Sequence, residues 1–125
     1  MGTSTKSTMI AIVIGLLVGA LLALPALFIA AVSGGGGHGC YIEARALFPV
    51  SMLLTLLEGR IGIFSIAVAL LQFPAYGALL GWSIVRRKYL PLAGAVSVHL
   101  IAAICCFAGP LDGFIPGRCI LHILE

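Results

Sequence analysis

The chain has 125 residues, 62% apolar and only 9% charged, whereas a soluble domain carries about a quarter charged residues and could not bury this much apolar surface. Its net charge of +3 rests on seven basic residues, with Arg86, Arg87 and Lys88 in one turn. That excludes the broad basic face needed for nucleic acid and reads instead as a topology signal. The expectation is an all-α integral membrane protein forming one transmembrane helical domain over residues 1–125, multi-pass in a plasma or inner membrane.

The first expected span runs from Met9 to Val32, after Lys6. It exceeds the roughly 7–15 apolar residues of a cleaved signal peptide. Ala11, Gly15, Gly19 and Ala23 lie along one helical stripe, and Gly15 to Gly19 is a G-x-x-x-G. Lipid gives helices no hydrophobic reason to associate, so small residues that admit close backbone approach mark a packing face. A helix of the same chain is the preferred partner for that stripe. Pro25 is expected to bend the span, because it lacks a donor and crowds the Leu21 carbonyl.

Ser33 to Gly39 reads as a glycine-rich connector, with no Gly-Lys-Ser/Thr to make it a phosphate cradle. The second expected span, 42–58, is the shortest. Its apolar core from Ala46 to Leu57 is too short to cross alone, and Pro49 lies near its start. A spanning helix is favoured, followed by the polar turn Glu58-Gly59-Arg60, with a re-entrant segment as the alternative.

The third span, 61–85, carries Gln72, Pro74 and Tyr76 in its middle, then Gly77 and Gly81 as a second small-residue face. Pro74 frees a carbonyl near Leu70, which the neighbouring polar side chains are expected to help satisfy. The turn 86–89 leads into the fourth span, 90–109, with His99 at its centre, and Trp82 and Tyr89 are placed as interfacial aromatics. Gly117 to Glu125 is expected to form a short interfacial helix with Arg118, His122 and Glu125 on one face.

Four spans place Arg45 and the 86–88 cluster on one side and Lys6, Arg60 and Arg118 on the other. The cluster puts its turn in the cytoplasm and both termini outside. Three spans with a re-entrant segment put the amino terminus inside instead, which suits Lys6 better.

His99 carries most of the chemistry in the sequence, since an ionisable group in mid-span faces other helices. Counting outward from the 86–89 turn sets it opposite Tyr76, with Gln72 about one turn away. The favoured reading of His99, Tyr76 and Gln72 is a polar clasp between helices, with proton handling or metal or haem ligation as alternatives. His38 and Cys40 form an H-x-C pair without a second pair at zinc spacing, so no metal site and no cofactor are expected. Cys105 and Cys106 read as small hydrophobes, and a Cys40–Cys119 disulfide within one chain is not expected. Glu43 with Arg45, and Glu58 with Arg60, read as interfacial anchors. No nucleophile, base and acid fall at triad-like positions, so no catalytic residue is assigned.

The function expected is that of a non-enzymatic accessory or structural subunit of a larger membrane complex. Its partners would be the lipid bilayer and other membrane proteins or further copies of itself, met through the small-residue faces at Gly15, Gly19, Gly77 and Gly81, with no nucleic acid. A small oligomeric transporter or channel, or a haem or redox subunit using His99, are the alternatives.

Overall fold

The computed structural model describes residues 4–35 and 41–108, and all regular structure among them is helical. The helices are α1 (Thr5–Gly35), α2 (Ile42–Leu47), α3 (Pro49–Glu58), α4 (Ile63–Arg86) and α5 (Leu90–Ala108). Three of them, α1, α4 and α5, are long and apolar enough to cross a membrane. The connector residues His38 and Cys40, together with Cys119 and the helix expected over 117–125, lie outside the described residues.

α1 is longer at both ends than the apolar run. The Thr8 amide and hydroxyl both donate to the Ser4 carbonyl, and the Ser33 hydroxyl donates to the Ala30 carbonyl at 2.8 Å, so helix continues through Gly35 where the glycines suggested a connector. Pro25 lies within this helix. The dominant interface is α1 on α4. Ala11 lies against Gly81, Gly15 against Gly77, and Gly19 against Phe73 and Pro74. Position rises on α1 as it falls on α4, so the two helices are antiparallel. Their contact is backbone on backbone: a Cβ on Gly15 would drive into the Gly77 carbonyl, and one on Gly77 into the Gly15 carbonyl. Both small-residue faces are therefore occupied by each other.

Antiparallel α1 and α4 put Gly35 and Ile63 at the same end of the bundle. The chain between them must leave from and return to that end. It does so by folding inward as α2, turning at Phe48 and coming back as α3. The single helix expected over 42–58 is not formed, and the segment is two short helices instead. Pro49 has no amide hydrogen to give the Arg45 carbonyl, Phe48 leaves helical geometry (φ −129°, ψ 50°), and Pro49 begins α3, where proline is tolerated. At about 1.5 Å per residue, six-residue α2 and ten-residue α3 are each far short of the roughly 30 Å of a hydrocarbon core.

The turn-back reaches the middle of the bundle. Phe48, 2% exposed, packs with Ala26 of α1 and Ala69 of α4, and its ring meets Phe73 at 5.3 Å between centroids. A second cluster joins Ala44, Met52 and Cys106, with Ala30 and Tyr41 against it, so α5 is tied to the returning segment. At the far end, α4 closes with Arg87 in the left-handed region (φ 52°). The Lys88 amide donates to the Ser83 carbonyl and the Arg87 amide to the Ile84 carbonyl, which turns the chain into α5.

Candidate functional site

The site is assembled from the α2–α3 break upward. A helix that stops in mid-bundle leaves its last carbonyls without amide partners, and side chains of the neighbouring helices reach them here. The Phe48 amide donates back to the Ala44 carbonyl at 2.8 Å, and of the carbonyls that follow, those of Ala46 and Leu47 are met by side chains of other helices. Gln72 of α4 donates through Nε2 to the Leu47 carbonyl at 2.9 Å. His99 of α5 lies with Nε2 at 3.1 Å from the Ala46 carbonyl.

That contact fixes the imidazole tautomer. A carbonyl only accepts, so Nε2 carries the proton and Nδ1 presents a lone pair. The Tyr76 hydroxyl lies 3.2 Å from Nδ1 and donates to it, its ring set edge-on to the imidazole with 5.7 Å between centroids. Gln72 Nε2 also lies 3.4 Å from Nδ1 and competes for the same lone pair. The structure thus brings together His99, Tyr76 and Gln72, and adds what the sequence reading lacked: the backbone they serve. Pro49 is the signal in the sequence, because a proline inside an apolar run ends the helix before it and so frees that helix's last carbonyls. Gln72 and Tyr76 are engaged here, with the turn-back and His99, instead of with the Leu70 carbonyl near Pro74.

Arg45 departs furthest from expectation. Instead of anchoring at an interface it is 4% exposed, with Nη1 donating to the Cys106 carbonyl at 3.3 Å. The residue four positions beyond Cys106 is Pro110, which has no amide hydrogen to offer that carbonyl. The guanidinium takes the place of the missing donor, and a cation suits a helix carboxyl end. Its Nε has no partner among the described residues, nor does Gln72 Oε1. The Cys106 thiol donates to the Pro49 carbonyl at 3.4 Å, while Cys105 is exposed.

Glu58 is likewise more than an anchor. Its carboxylate accepts from the Phe64 amide at 3.3 Å, the Ser65 amide at 3.0 Å and the Ser65 hydroxyl, capping the start of α4. The Ser65 hydroxyl bond is the largest cause holding its pKa below the usual glutamate value, with the amide bonds acting in the same direction against desolvation. Ser51 donates to the Ser65 carbonyl at 2.6 Å, so α3 is pinned to α4 through two links.

Gly15, Gly19, Gly77 and Gly81 lie in the α1–α4 seam, apart from this polar group. Beside that seam, between α1 and α5, a cavity of about 440 Å³ opens below the Ala46–Leu47 turn and is lined by Gly19 and Gly77 as well as by Tyr76 and His99. No group of three or more potential metal-ligating His, Cys, Asp or Glu residues occurs among the described residues. In comparisons with known proteins the chain matches no family model, no curated protein and no solved structure.

Proposed function

We propose that the chain is a small multi-pass membrane protein that has no catalysis of its own and acts as an accessory or structural subunit of a larger membrane assembly. The observation that carries this is where its intramembrane polar groups spend their bonds. His99 and Gln72 hold the carbonyls of the turn-back, Tyr76 holds His99, and Arg45 holds the end of α5. Each supports the fold, and haem ligation by His99 would require a ring nitrogen that is already engaged.

The arrangement supports three spans, with α2 and α3 as a re-entrant pair, in place of four. Lys6 and the Arg86–Lys88 turn then share one end of the bundle, which the positive-inside rule places in the cytoplasm, with the re-entrant pair entering from the outer face. Partners would meet the outer faces of α1 and α5, where Leu21, Phe28, Leu90 and Ile104 are exposed, because the glycine faces are spent within the chain.

Extraction from native membranes in a mild detergent, followed by identification of co-eluting proteins, tests the reading. A defined set of larger membrane proteins at fixed stoichiometry is the expected result. Elution alone would overturn it. Cysteine-accessibility mapping at Lys6→Cys, Lys88→Cys and Arg60→Cys tests the topology, the first two being expected on one side and the third on the other.

A further inference from the structure

We propose that the cleft between α1 and α5 holds one acyl chain of an anionic phospholipid whose headgroup rests on the basic turn Arg86-Arg87-Lys88. The inference rests on the membrane placement proposed above, and not on any partner protein.

α1 and α5 each pack on α4, and the space between them is shared unequally along its length. Near the acidic end it is filled by the re-entrant pair. Beyond the tip of that pair it stays open as the cavity of about 440 Å³, a size typical of small-molecule sites. Its walls are apolar: Leu22 from α1, Leu80 from α4, Leu92 and Val96 from α5, roofed by Leu47. At the inner end stand Tyr76 and His99, but the imidazole already donates to Ala46 and accepts from Tyr76, so neither of its nitrogens asks for a polar ligand. A hydrocarbon tail fits that lining better than a polar substrate.

Charge then chooses the headgroup. The cavity reaches Leu80 and Leu92, and the Arg86–Lys88 turn joins those two helices about two helical turns or less beyond them. Arg86, Arg87 and Lys88 are all exposed there, and Lys6 is level with them because Ala11 is level with Gly81. No described acid lies at that end, since Glu43 and Glu58 belong to the re-entrant pair. A chain descending from a headgroup held by these cations enters the cleft along the helix axes, as a lipid in the adjoining leaflet would. Basic clusters beside a membrane helix select anionic lipids.

The test uses the full chain reconstituted in vesicles of equal phosphatidylglycerol and phosphatidylcholine, extracted in mild detergent and weighed intact by native mass spectrometry. The wild type is expected to retain a single phospholipid, with phosphatidylglycerol preferred at least about tenfold, the scale set by several basic residues near a headgroup. Ala95→Phe, which places a ring in the cleft, is expected to abolish retention while circular dichroism shows unchanged helix. The triple change Arg86→Gln, Arg87→Gln, Lys88→Gln leaves the cleft intact, and is expected to keep a bound lipid but lose the preference. Absence of retained lipid from the wild type overturns the proposal, as does equal retention of the two lipids. If Ala95→Phe retains lipid as the wild type does, or if the cleft proves to be filled by a second copy, the proposal also fails. Carbonate-resistant membrane association, measured on the same proteins, separately tests the membrane placement.

Discussion

The two sides of α4 are held by opposite means. Toward α1 the contact is glycine on backbone, and each helix runs on through its interior proline, Pro25 or Pro74, so close approach is what the seam requires. Toward the α2–α3 segment and α5, the helix break at Phe48 frees carbonyls that Gln72 and His99 meet, and Arg45 meets the Cys106 carbonyl in the last turn of α5. Where the surroundings supply neither water nor a hydrophobic drive, an unbroken helix can be fastened by shape alone, whereas a broken one must be fastened by donors.

The sharpest way to break the first side is Gly77→Val. Its Cβ meets backbone that cannot turn aside, so a loss of about 3 kcal/mol or more is expected by unfolding in mixed detergent, at the upper end of overpacking costs. On the second side the loss should be smaller and confined. His99→Leu strips the Ala46 carbonyl of its donor, with an expected loss of about 0.6–1.7 kcal/mol, the range found for hydrogen bonds between membrane helices. Cross-linking of Lys6→Cys to Arg86→Cys by a bifunctional maleimide, at exposed positions level with each other across the same pair of helices, should persist in that variant, since the glycine seam does not use His99. Loss of the cross-link would show that the two sides are not independent.

A third change probes the rim of the polar side without touching a hydrogen-bonded side chain. Gly59 ends α3 at φ 65°, and a Cβ there meets nothing, so Gly59→Ala isolates conformational strain at about 1 kcal/mol. The smallest effect is expected from acid titration of Glu58. Its carboxylate is favoured in the folded state by Ser65, so its contribution is present above the unfolded glutamate pKa and is lost as pH falls through the lower folded value. Glu58→Gln should remove that part of the acid sensitivity, measured as the difference between the two melting profiles below neutral pH.

Much of this was legible in the chain. The 86–89 turn with apolar runs on both sides defined the α4–α5 hairpin, and simple counting across it set His99 beside Tyr76. Gly15 and Gly77 were recognisable as close-approach residues, although the sequence could not say that they would meet each other. In the segment 42–58 the apolar run suggests one helix, whereas Pro49 and the break at Phe48 divide it in two. Next to a glycine loop Arg45 looks interfacial, whereas the carbonyl it serves lies 61 residues away.

Hydropathy is a property of neighbours along the chain, and it was enough to determine that three stretches are long and apolar enough to cross a membrane. Whether a shorter stretch crosses or turns back is not a local property. The break at its middle is met by donors on α4 and α5, 25 and 53 residues from the carbonyls they hold. Only when α1 lies antiparallel on α4 do both ends of the α2–α3 segment fall on one side, with Gln72 and His99 in reach of its tip.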